Sequence, residues 1–119
     1  MAIVNLTPHH ICTADADGNI ISTYPASGDV ARCAPAPAQD GAPVDGIPVS
    51  VRPVTPGPVV GLPGPVDGVT YIGSAVVLNH PDVVGRSDVV APGTGPADNA
   101  VRNDKGHVVA VRCFVRAVL

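Results

Sequence analysis

Proline and glycine interrupt this chain every few residues, 14 and 13 of them among 119. A long helix cannot run through such punctuation. What remains between the breaks is rich in valine, a β-branched residue that fits a pleated sheet. The residues that favour helices are nearly missing: there is no Glu, Lys105 is the single lysine, and Leu is scarce. An all-β fold follows, a single compact domain over 1–119. It is expected to be a small barrel or sandwich of about seven short strands with at most one short helix.

Along the chain, strands are expected over 2–6, 10–14, 19–24 and 29–33, with a hairpin turn at Asp15-Ala16-Asp17-Gly18. Residues 34–46 read as a variable surface loop because Ala, Pro, Asp and Gly bury little. Further strands are expected over 47–54, 59–62 and 69–72. The stretch 55–65, which holds one short strand at most, is assigned to a sheet edge by its prolines. Residues 75–79 read either as a helical turn capped by Ser74 or as a continuation of the strand from Val69. After a short strand at 88–91, a hairpin joins 100–103 to a long alternating strand over 107–118.

The formal charge of −3 argues against a general DNA- or RNA-binding surface. With only Tyr24, Tyr71 and Phe114 as aromatics, a base-stacking platform for single strands is a poor reading. No apolar run reaches the roughly 18 residues of a membrane span, and the N-terminus does not read as a signal peptide. Cys12, Cys33 and Cys113 form no CxxC pair and are expected to be free thiols in a reducing compartment. No cofactor is implied.

Chemistry concentrates between Arg86 and Arg102. The loop Ala91-Pro92-Gly93-Thr94-Gly95-Pro96 is flanked by valine-rich segments and bracketed by the two arginines. Guanidinium groups on Arg86 and Arg102, the amides of Gly93 and Gly95 and the hydroxyl of Thr94 are the parts of an anion site, with Asp88 orienting Arg86. The competing reading pairs the arginines with Asp88, Asp98 or Asp104 on the surface. His9, His10 and Cys12 hold metal-ligand types, but no second cluster completes a site, and no metal is assigned. Nothing groups a nucleophile with a base, so no catalytic residue is assigned.

Three stretches carry a resemblance: Asn5-Leu6-Thr7-Pro8-His9; Gly61-Leu62-Pro63 with Asp67-Gly68-Val69-Thr70-Tyr71-Ile72; and Arg86 to Pro96 with Val101-Arg102-Asn103-Asp104-Lys105-Gly106. In these the chain resembles a family of small proteins encoded in bacteriophages, prophages and mobile elements. The resemblance implies a phage context in the host cytoplasm and brings no catalytic residues with it. Small phage proteins with polar pockets include sponges, which sequester cyclic-nucleotide or ADP-ribose-type signals of bacterial defence. Arginines, backbone amides and pockets formed between subunits of a homo-oligomer suit that task. The expectation is therefore non-catalytic binding of a small phosphorylated ligand at Arg86, Asp88, Gly93, Thr94, Gly95 and Arg102. The alternatives are a decoration or host-protein-binding β-domain, which needs an exposed apolar patch, and a nucleotide hydrolase, which needs a histidine or paired aspartates at the same pocket.

Overall fold

The computed structural model describes residues 2–53 and 57–118. The last residue of the strand expected over 47–54 and the first two of the stretch 55–65 lie outside them. The described residues form twelve strands and one helical turn. In chain order these are β1 (Ala2–Asn5), β2 (Ile11–Ala14), β3 (Ile20–Tyr24), β4 (Arg32–Cys33), β5 (Gln39–Val44) and β6 (Ile47–Val51), followed by β7 (Val59–Val60), β8 (Val69–Ile72), α1 (Ala75–Leu78), β9 (Val89–Pro92), β10 (Val101–Arg102), β11 (Val108–Ala110) and β12 (Phe114–Val115). The all-β class is as the composition requires.

A four-stranded sheet in the order β1-β8-β9-β12 organises the domain. β1 and β9 run parallel to β8, with Ala2 opposite Val69 and Tyr71 opposite Val89, while β12 runs antiparallel to β9. The other strands form four two-stranded ribbons, β2-β3, β4-β7, β5-β6 and β10-β11. The sheets are small and do not close into a barrel, the first of the two architectures expected. Strands of two to six residues, cut by proline and glycine, leave no ladder long enough to wrap.

Parallel strands need a crossover, and α1 lies on the one between β8 and β9. Ser74 caps it by accepting from the Val77 amide at 3.3 Å. Val77 and Leu78 are buried against the sheet, which is why these residues turn rather than extend β8. The core lies on one face of the sheet, where Leu6, Tyr71, Val89 and Ala91 meet Val77 and Leu78.

Two expectations need correction. The supposed loop 34–46 contains β5, which pairs with β6 through a two-residue Asp45-Gly46 turn. Both turn residues have positive φ (49° and 76°), the requirement of the tight hairpin turn that Asp-Gly favours. The strand expected over 107–118 is broken. The amide and carbonyl of Val111 bond Cys12 and Ala14, so β2 captures that residue and the chain passes from the β10-β11 ribbon into the main sheet.

Candidate functional site

β9 sets the distance between the residues of the proposed anion site. Arg86 and Asp88 precede it and Thr94, Gly95 and Arg102 follow it. Five residues, four of them the extended β9, separate Asp88 from Thr94, which at full extension is up to roughly 20 Å. The two arginines have separate surroundings: Arg86 bonds Asp88 and the Pro63 carbonyl, whereas Arg102, on β10, bonds the Thr94 and Gly106 carbonyls.

At the first end Arg86 is committed internally. Its Nε donates to Asp88 Oδ1 at 2.9 Å and one terminal nitrogen donates to Asp88 Oδ2 at 2.6 Å and to the Pro63 carbonyl at 3.1 Å. The two side chains are 23% and 15% exposed. This fork holds the Asp88 carboxyl below its ordinary range, chiefly through the hydrogen bonds from Arg86. The same bonds raise the Arg86 value. Arg86 thus pins the loop after β7 to the start of β9.

At the other end the glycine amides are also in use. Gly93 donates to the Cys113 carbonyl at 2.9 Å, extending the β9–β12 ladder. Gly95 donates to Asp98 Oδ2 at 2.9 Å. The anion that this loop cradles is the chain's own carboxylate. Arg102 differs. It donates to the carbonyls of Gly106 at 2.9 Å and Thr94 at 3.3 Å, and among the described residues it meets no carboxylate. Carbonyl partners orient a guanidinium without cancelling its charge. Arg102 is exposed, as is Thr94.

Beside Thr94 lies a half-open cavity of about 150 Å³. Its walls come from the start of β2 (His10, Ile11, Cys12), from Pro92 and Thr94, and from residues 108–111 of the C-terminal segment. The bonds that β2 makes to Val111 hold the two walls together. The lining is mostly apolar, and the residues in it with polar side chains are His10, Cys12 and Thr94. Cys12 Sγ also lies 3.6 Å from Thr23 Oγ1. The sequence marks Thr94 as part of the anion loop and His10 with Cys12 as metal-ligand types, with nothing to join the two. The valine wall at 108–111 carries no local signal of a site, because alternating valines are also what any half-buried strand displays.

The remaining distinctive residues are structural. Asn5 is buried and makes four bonds. Its amide donates to the carbonyls of His9 (2.8 Å) and Tyr24 (2.9 Å), and its oxygen accepts from the amide (2.9 Å) and hydroxyl (2.6 Å) of Thr7. It ties the turn after β1 to the end of β3. Asn103 accepts from the amides of Lys105 and His107, each at 3.0 Å, and so closes the turn between β10 and β11. His80 is buried, with Nδ1 accepting from the Asp82 amide at 3.0 Å. That leaves Nε2 as the protonated nitrogen, 3.1 Å from the Gly57 carbonyl. Among the described residues the three cysteines are free thiols, no three His, Cys, Asp or Glu side chains gather to hold a metal, and no helix is long and apolar enough to cross a membrane.

No protein-family model matches the chain, nor does any curated protein or solved structure. What the fold and the cavity define is an all-β domain in which Arg102, held by carbonyls, adjoins through Thr94 a small, mostly apolar cleft.

Proposed function

We propose that this protein binds a small phosphorylated, nucleotide-type ligand without transforming it, as a phage-encoded sponge in the host cytoplasm would. The observation that carries the reading is Arg102. It is oriented by the carbonyls of Thr94 and Gly106, has no carboxylate partner among the described residues, and stands beside the cavity lined by Thr94, His10 and Cys12. A phosphate at the rim takes the guanidinium and the Thr94 hydroxyl, with His10 within the same lining. A flat heterocycle takes the apolar floor between Ile11, Pro92 and Val109. The cavity is smaller than the roughly 300–1,000 Å³ that encloses a drug-sized ligand. It therefore holds one end of a nucleotide, and the rest lies across the open rim.

The test is thermal denaturation against cyclic di- and trinucleotides, ADP-ribose and its cyclic isomers, NAD and mononucleotides, with each ligand assayed for integrity afterwards. A ligand at 100 times its dissociation constant stabilises the fold by about 2.7 kcal/mol. Arg102→Ala removes a charged hydrogen bond worth about 1.5–3 kcal/mol, so affinity falls by roughly ten- to a hundredfold. Asp88→Asn, at the far end of β9, leaves it unchanged. A consumed ligand makes the protein an enzyme. No stabilisation across the panel, or full binding by Arg102→Ala, refutes the reading.

A further inference from the structure

The β5-β6 hairpin is built to be covered, and its own chain does not cover it. Ile47, Val49 and Val51 alternate with Pro48, Ser50 and Arg52, and the register puts Val44 across from Ile47. One face of the ribbon is therefore apolar. Gly41, opposite Val49, has no side chain, and its place is filled by the Val49 and Val51 methyls. In a sheet, such alternation marks a face packed on something. Yet Val44, Ile47 and Val51 are 63%, 65% and 53% exposed. Neither strand packs extensively on any element but the other. The hairpin projects, and the radius of gyration of 17.1 Å exceeds the about 13–14 Å usual for this length. An isolated two-stranded hairpin is marginal in water.

A matching vacancy lies on the central sheet. Its inner face carries α1 and the core. Its outer face presents Ile3, Thr70 and Phe114, half-buried around an open cleft of about 260 Å³, with Val90 as the floor and Arg116 at the edge. The Arg116 Nε bonds the Ser87 carbonyl at 3.0 Å, and among the described residues it meets no carboxylate. The charges complement each other. Asp45 sits at the hairpin tip, and Arg116 is the charged residue lining the cleft.

We infer that the hairpin is an oligomerisation arm that lies across the outer sheet face of a second copy of this chain. Val44 and Ile47 enter the cleft between Ile3, Thr70 and Phe114, and Asp45 at the tip meets Arg116. No residue of the arm lines the cleft of its own chain, so the exchange is between copies. Reciprocal exchange closes a dimer. Each copy then contributes its arm and its sheet face, on the order of 20 residues a side, the size of a standard specific interface.

Sedimentation equilibrium on the full chain tests this. The wild type is a dimer or larger closed oligomer. Ile47→Asp, at an exposed position, gives a monomer with an unchanged β circular-dichroism spectrum. Arg116→Asp sets two carboxylates against each other and weakens association by more than about tenfold. Adding Asp45→Asn, which keeps the positive-φ turn, recovers most of that loss. A monomeric wild type, an unchanged mass for Ile47→Asp, or no recovery in the double variant overturns the inference. The first of these outcomes would turn attention to a partner of different sequence.

Discussion

Arg86→Ala separates a structural arginine from a ligand-binding one. Three hydrogen bonds are lost, two to Asp88 and one to the Pro63 carbonyl. Asp88 is left mostly buried, at 15% side-chain exposure, without its counter-charge. Exposed pairs contribute about 0–1 kcal/mol and breaking fully buried ones costs about 3–5 kcal/mol. At this intermediate burial, in bidentate geometry, the loss is about 2 kcal/mol. For a chain of this size that lowers the melting temperature by roughly 8–10 °C. The pH dependence has a definite sign. The folded Asp88 carboxyl titrates below its unfolded value, so its stabilisation is complete above the ordinary carboxylate pKa of about 3.9. It is lost as pH falls through the lower folded value. The gap between wild type and Arg86→Ala should thus be full at pH 7 and close in strong acid. Chemical denaturation of wild type, Arg86→Ala, Asp88→Ala and the double variant measures the coupling directly. A coupling near zero, or a stability loss below about 0.5 kcal/mol, refutes the argument.

Other substitutions test the roles assigned elsewhere. Asn5→Asp keeps the acceptor for Thr7 but loses both donors to the His9 and Tyr24 carbonyls, and denaturation should show a loss of about 2–4 kcal/mol. Gly93→Ala would place a Cβ 2.5 Å from Cys113 Sγ and 2.9 Å from the Cys113 carbonyl oxygen, in backbone that cannot shift without breaking the β9–β12 ladder. It should destabilise by about 1–3 kcal/mol, and a neutral result would mean the glycine is there for another reason. His80→Ala removes the acceptor for the Asp82 amide and the partner of the Gly57 carbonyl, at about 2 kcal/mol. His80→Gln should recover part of that loss in the same assay.

The anion-site motif was legible as residue types, while the partners those residues take were not. Arg86 and Arg102 are near each other in sequence, and both flank a glycine loop. β9 lies between them, and each arginine takes partners on its own side: Asp88 and Pro63 for Arg86, Thr94 and Gly106 for Arg102. The free-looking amides of Gly93 and Gly95 are consumed by Cys113 and Asp98, and partners for a loop amide leave no mark in the loop's own sequence. His10 and Thr94 share a cavity lining although more than 80 residues apart. In the hairpin at 39–51, Asp45-Gly46 between Val44 and Ile47 is a strong turn signal, while the Ala, Pro, Asp and Gly content of 34–46 favours a loop.

What the sequence determined by itself is local. Valine and frequent turn residues make short strands and Asp-Gly closes tight turns, because each rests on sterics and hydrogen bonds within a few residues. What only the tertiary structure decided is the parallel sheet, the partners of the arginines and the open face opposite the arm. β1 meets β8 across more than 60 residues of chain, a pairing set by which apolar faces can be buried together. No local pattern encodes that choice, because the same alternating valines suit several partners, and the core on α1 selects among them.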